Sequence, residues 1–296
     1  PRIQVSLFSI LEEKEIQIRG FKVRLPLDIQ FIFTSNPEDY TNRGTIVTPL
    51  KDRIGSQILT HYPESVEIAK KITEQESKIN SKIMSQIHIP EIARDIIEQI
   101  SFEARESDLV DSKSGVSARM SITSLQNLVS SAERRMIINN EKQTIIRMSD
   151  FNSVISSING KVELVYEGEE EGAEQVSYNL ISDAIKSLFN KYFPKIEKLS
   201  KPDEVSPYDS ILEWFTQKQL IINDNLKNEE YEELLVEVKD ASLLLDNYLP
   251  ELDENDKFFF IEFILWGLEG FNKLSILRTN NGIEFKDPFN NFINKI

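Results

Sequence analysis

Residues 29–34, IQFIFT, are apolar almost throughout. A strand with one wet face alternates apolar and polar residues. A run that does not alternate reads as a strand covered on both faces, which calls for helices above and below a sheet. The run ends at Ser35-Asn36-Pro37 and enters the polar loop TSNPEDYTNRG, residues 34–44, followed by PLKDRIG at 49–55. At the edge of an α/β sheet, residues at a strand tip lie where ligands bind. Arg43 and Arg53 follow in the same stretch.

Before this run, Ile3, Leu7, Ile10 and Leu11 recur at helical spacing, so 1–13 reads as a helix. EIQIRGFKVRL alternates about Arg19-Gly20, so 15–25 reads as a β-hairpin that Pro26 ends. After the loop the pattern is helical. Pro63 starts a helix to about Lys82, and Pro90 another to about Glu106. Ser117-Ala118-Arg119 opens a stripe of Ile122, Leu125, Leu128, Val129 and Ala132 that ends near Asn139. A short helix covers about 148–158 and stops at Asn159-Gly160. GEEEGAE, 168–174, reads as an acidic, solvated linker. Helices follow near 174–193, 208–217 and 228–247, with PDEVSP as a loop at 202–207. A last helix runs from the acidic stretch 253–256 to about Leu277, and Asn281-Gly282 and Asp287-Pro288 signal turns. Its apolar run FFFIEFILWGL, 258–268, is too short to span a bilayer and contains Glu262, so it reads as a buried helix. Trp214, Phe215 and the aromatics at 258–263 read as core.

Charge is uneven. Residues 1–160 hold 20 Lys and Arg against 21 Asp and Glu; residues 161–296 hold 14 against 28, a net −14. Arg278 is the only arginine of that second part. Such a surface repels nucleic acid and anionic membrane. Phosphate chemistry therefore belongs to the first part, where the arginines are. No cysteine is present, which removes disulfides and thiolate metal sites and fits a cytoplasmic protein. His61 and His88 are the only histidines and form no zinc motif.

Three residues carry candidate chemistry. Asn36, at a strand tip, has an amide that can orient a water or bond a phosphate oxygen. Arg53, after a helix-like turn, can reach a phosphate across a subunit boundary and stabilise charge that develops in phosphoryl transfer. Arg119 opens a helix whose N-terminal dipole favours anions. Taken singly, each has a plainer reading: a strand-ending turn, a surface ion pair with Asp52 or Glu38, and an ordinary helix start. Arg43 is a weaker candidate for an intersubunit surface. Lys14, Arg19, Lys22 and Arg24 on the hairpin read as edge protection.

FTSNPEDYTNRG, TPLKDRIGSQI and VSARMSI, in this order, resemble the AAA+ ATPases of the magnesium-chelatase ATPase-subunit group, close to the MoxR-like proteins. The resemblance covers roughly 1–160. It implies that Asn36 is sensor 1, Arg53 the arginine finger and Arg119 sensor 2 at the start of a lid helix, with the hairpin 15–25 in its family place. The expected fold is mainly α with a small α/β part. A partial AAA+ core (1–62) precedes a helical lid (63–160) and an acidic all-α C-terminal domain (161–296). The P-loop and the Walker-B strand that hold ATP and Mg2+ in this family are missing from the 296 residues. The chain therefore reads as the C-terminal part of a longer ATPase. It is not expected to bind ATP or Mg2+ alone, and its first sixty or so residues are short of packing partners. The resemblance further implies a homo-oligomeric ring, six-membered as is usual for AAA+ proteins. It also implies a protein partner of the von Willebrand A type, and neither nucleic acid nor membrane as partner. The alternative is a non-catalytic acidic helical interaction module on a degenerate AAA+ scaffold. A DNA helicase is disfavoured by the acidic balance.

Overall fold

The structure is a computed structural model that describes residues 7, 9–24, 30–34, 48–196, 206–279 and 281–288. The chain divides into two compact units, Pro1–Tyr62 and Pro63–Ile296.

In the first unit, a helical turn at Ser9–Glu13 leads into the antiparallel hairpin β1 (Glu15–Ile18) and β2 (Phe21–Arg24). The rest of the expected helix 1–13 lies outside the described residues. Ile16 faces Val23 and Ile18 faces Phe21, as the alternation predicts. Arg19 (φ 50°) and Gly20 (φ 87°) are both left-handed. That pair of signs is what a tight two-residue hairpin turn requires, and glycine adopts it at no steric cost. Glu15 bridges Lys22 (3.3 Å) and Arg24 (3.5 Å), so part of the hairpin's positive charge is matched from within. The expected strand 29–34 is not found: residues 30–34 pair with no described strand, and Ile32 is 82% exposed. A strand is stable only when a neighbour takes its alternate amide groups, and apolar content alone does not supply one. α1 (Thr48–Lys51) is a single helical turn.

The second unit is mainly helical, with small sheets. The helix expected from 63 to 82 breaks in two. α2 (Val66–Glu76) is capped by Ser65, and α3 (Ser81–Met84) by Asn80. Lys78 between them is left-handed, which no α-helix tolerates in its interior. β3 (Ile87–His88) pairs in parallel with β4 (Thr144–Ile145). α4 (Glu91–Glu106) and α5 (Arg119–Ile138) follow their predicted bounds closely, and of the stripe predicted on α5 Leu125, Leu128, Val129 and Ala132 are buried and Ile122 is half-buried. A 3-10 turn, Met148–Val154, leads into α6 (Ile155–Asn159). The acidic stretch read as a linker is instead α7 (Tyr166–Glu171), joined at Gly172 to α8 (Ala173–Tyr192). Acidic residues in a helix's first turn favour its dipole; the glutamates are solvated as expected, while Gly168 is buried against the Leu109 carbonyl and anchors the segment.

α9 (Asp209–Gln217) precedes β5 (Leu220–Asn223). The single helix expected over 228–247 is two, α10 (Asn228–Val236) and α11 (Ala241–Tyr248), because Asp240 is left-handed. α12 (Lys257–Gly270) is buried on every side over Phe259–Leu268. It ends before Leu277. β6 (Ser275–Thr279) and β7 (Gly282–Lys286) form a hairpin that β5 joins in the order β5–β7–β6. The expectation of an all-α region at 161–296 is thus corrected. The turn read at Asn281-Gly282 is present and closes the β6–β7 hairpin.

One hydrophobic core runs from Ile87 to Phe285 and crosses residue 160 without a gap. α8 packs on α4 and on α12. Trp214 lies against this core and Phe215 within it. Gly267 marks the closest approach, since a Cβ there would fall 2.2 Å from the Phe189 ring. Among the described residues no helix is long and apolar enough to cross a membrane.

Candidate functional site

Asn36 and Arg43 lie outside the described residues. Arg53 is exposed just past α1, and its Nη1 donates to the Pro49 carbonyl at 2.7 Å. The helix-like turn expected before it is present. Arg119 is the first residue of α5, with an exposed side chain. Its backbone N–H donates to Ser117 Oγ at 3.2 Å. The N-cap residue, Ala118, has no capping side chain; Ser117 instead accepts from the first two N–H groups of α5, through its Oγ from Arg119 and through its carbonyl from Met120 at 2.8 Å. Arg53 and Arg119 belong to different units, and each is described within its own.

The second unit also contains a polar cleft of about 830 Å3. Its walls are Met84–Ile89 and Arg94, Gln143–Ile145, the start of α10 with Asn228, Tyr231 and Glu232, and Glu254, Asn255 and Phe258. That volume lies in the range of ligand sites. The charge in it is mostly negative. Arg94 is matched by Glu74 at 3.1 Å. His88 Nε2 lies 2.6 Å from Asp256 Oδ1. Glu232 and Glu254 have no ion-pair partner among the described residues.

Behind the cleft lies a buried polar network. Asp150 Oδ1 accepts from Arg135 Nη1 (2.5 Å) and Ser131 Oγ (2.9 Å); its Oδ2 accepts from the Arg147 N–H (2.8 Å). Arg135 Nη2 donates to the Ile145 carbonyl at 2.6 Å. Arg147 is fully buried. It donates to the Leu226 carbonyl (2.9 Å) and Asn228 Oδ1 (3.0 Å) and stacks over the Tyr231 ring at 4.1 Å. Tyr231 in turn donates to Glu262 Oε2 at 2.6 Å, which also accepts from the Met148 N–H at 3.0 Å. Burial lifts the Glu262 carboxyl to about 7, although the Tyr231 hydrogen bond and the Arg147 charge pull the other way. Burial and the neighbouring Arg135 lower the Arg147 guanidinium to about 10, which leaves it charged at neutral pH. Two buried cations and two buried carboxyls thus sit together, and Arg147 and the Met148 N–H tie residues 131–150 to Leu226, Asn228, Tyr231 and Glu262.

Sequence reasoning noted Glu262 only as a charge inside an apolar run. That was the available signal, since a carboxyl in a helix buried on all sides needs partners. Arg135, Arg147, Asp150 and Tyr231 gave none, because ionisable residues on helices are ordinary until the fold buries them. The network's geometry suits an architectural clamp. The cleft and the exposed Arg119 side chain at the start of α5 are open to a ligand. No group of His, Asp and Glu among the described residues could hold a metal ion.

No protein-family model matches the chain, and no curated protein or solved structure matches it either.

Proposed function

We propose that this chain is the C-terminal part of a ring-forming AAA+ ATPase, akin to the magnesium-chelatase ATPase subunits and MoxR-like proteins, that couples ATP hydrolysis to remodelling of, or metal insertion into, a partner. The observation that carries the reading is the order of three motifs, ending in Arg119 exposed at the first residue of a 20-residue helix. The hairpin 15–24, ahead of these motifs, supports it.

In this reading Asn36 orients the attacking water or reads the terminal phosphate. Arg53 reaches the nucleotide of the neighbouring subunit, and Arg119 links the helical unit to its own subunit's nucleotide. The residues fit the phosphates of ATP: Arg119 stands where a helix dipole already favours an anion. Mg2+ is assigned no ligand in this chain. Bound nucleotide would supply the phosphoryl group that is transferred. The ring would be a homo-hexamer in the cytoplasm, served by a von Willebrand A-type protein and not by nucleic acid or membrane.

The first test is the coding sequence upstream of Pro1. A P-loop and an acidic strand within about 200 residues, one domain's length, are expected there. In the protein that carries them, Arg53→Ala should keep ATP binding and lose turnover. Wild-type turnover in that variant would reject the assignment.

A second reading, a non-catalytic acidic interaction module, is favoured by the net −14 of residues 161–296. If it is correct, partner capture should survive every substitution at Asn36, Arg53 and Arg119.

A further inference from the structure

Glu262, buried on α12, is met by three donors. Its Oε2 accepts from the Tyr231 hydroxyl (2.6 Å) and the Met148 N–H (3.0 Å), and its Oε1 faces the Trp266 Nε1–H at 3.4 Å. An ionised carboxylate only accepts, so this arrangement suits it. A carboxyl that holds a proton must donate it. Of the three partners, only the Tyr231 oxygen can accept, because the Met148 and Trp266 N–H groups are donors alone. The Tyr231 O–H then needs another acceptor, and the Phe258 carbonyl lies 3.5 Å from its oxygen. The change turns one hydroxyl hydrogen and leaves the ring where it is, stacked with Arg147 at 4.1 Å.

The surroundings of Glu262 make the proton consequential. Arg147 and Asp150 face it across the Met148 N–H, with Arg135 on Asp150 behind them. With Glu262 ionised, these two cations and two carboxylates cancel; with Glu262 protonated, the buried set carries one net positive charge. α10 brings Tyr231 and, on the cleft side, Glu232. The other elements packed on α12 hold their ionisable groups elsewhere. On α8, Tyr192 meets the Phe260 and Phe263 rings and Lys186 lies against Gly270. On α11, Asp246 and Tyr248 are exposed, and before α12 Asp256 is taken up by His88. Burial lifts the Glu262 carboxyl to about 7, so both states are populated near neutral pH. Tyr231 and Phe258 line the cleft, so a proton taken up in the core is registered at the cleft wall.

We propose that Glu262, Tyr231 and the Phe258 carbonyl form a proton switch behind the cleft: ionised Glu262 accepts from Tyr231, whereas protonated Glu262 donates to Tyr231, which then donates to Phe258. The switch does not depend on the ATPase reading.

The test is infrared difference spectroscopy of the full chain between pH 5 and pH 9, with and without ring-labelled tyrosine. As pH falls, a carboxylic C=O band should grow with a midpoint of about 7, and a tyrosine C–O band should shift with the same midpoint. Glu262→Gln should remove both changes. Tyr231→Phe should remove the tyrosine change and keep the carboxyl band. It should also raise the midpoint of that band by about one pH unit, because the ionised form loses the stronger, charge-assisted bond. A carboxyl band without a tyrosine shift in the unsubstituted chain would overturn the switch, and that reading needs no variant. A tyrosine shift left unchanged by Tyr231→Phe would overturn it as well. So would a carboxyl band left unchanged by Glu262→Gln, which would place the proton on Glu98 or Glu269, whose carboxyls burial also raises. Absence of any carboxyl band would reject proton uptake altogether.

Discussion

Glu262 sits at 0% exposure in an aromatic helix, and its protonation is where pH should act on this fold. The carboxyl is raised from 4.5 to about 7. Between those values the folded chain holds a proton that the unfolded chain has lost. Glu262's contribution to stability is therefore greatest below about pH 4.5, falls as pH rises, and levels off above about 7. The full loss is roughly 3 kcal/mol at most. Glu262→Gln should flatten this part of the profile, as read by urea denaturation at pH 5 and pH 7.5. An unchanged slope in the variant would mean that another group titrates. Arg135 shows the complementary case. Removing it as Arg135→Met leaves Asp150 buried without its cation, which should cost about 3–5 kcal/mol. The double variant with Asp150→Asn should lose less than the sum of the two single changes, since both disrupt one interaction.

At the scale of elements, α8 and α12 meet where Gly267 faces the Phe189 ring. That ring is held by Phe193 at 5.0 Å, Phe263 at 5.8 Å, and Tyr208 and Phe271 at 5.9 Å, so it has little room to move. Gly267→Ala should destabilise by about 1–3 kcal/mol, even though alanine gains about 1 kcal/mol in helix propensity. Phe189→Leu should recover part of that loss, and a thermal melt of the double variant checks it. Element identity was legible wherever a periodic pattern met a clear stop. α4, α5, α8, α9 and the first hairpin fall close to their expected bounds. The errors cluster where one left-handed residue decides. Lys78 and Asp240 interrupt helical patterns without a proline or glycine to announce the break, whereas Asn272 follows Gly270 at the end of α12.

At the scale of the molecule, the core of residues 63–296 crosses position 160, and the buried network joins Asp150 and Arg147 to Leu226, Asn228, Tyr231 and Glu262. Residues 161–296 expressed alone would leave α8 without α4 and α12 without the turn Met148–Val154, and expose Tyr231 and Glu262. They should show helix content by circular dichroism but no cooperative melt, whereas 63–296 should unfold in one transition. A cooperative melt of 161–296 alone would contradict this.

By itself the sequence determined the helical periodicity, the hairpin about Arg19-Gly20, the buried character of residues 258–268 and the acidic second half. Each of these is local, set by side-chain spacing or composition within a few turns of chain. It also determined the order Asn36, Arg53, Arg119, which a motif carries without any fold. Only the tertiary structure decided that β5 joins the β6–β7 hairpin, that residues 30–34 find no strand partner among the described residues, and that Arg135, Arg147, Asp150, Tyr231 and Glu262 converge behind a cleft. The physical reason is the same in each case. Strand pairing and buried charge depend on partners distant in sequence, and a single residue carries no sign of the neighbour that will satisfy it.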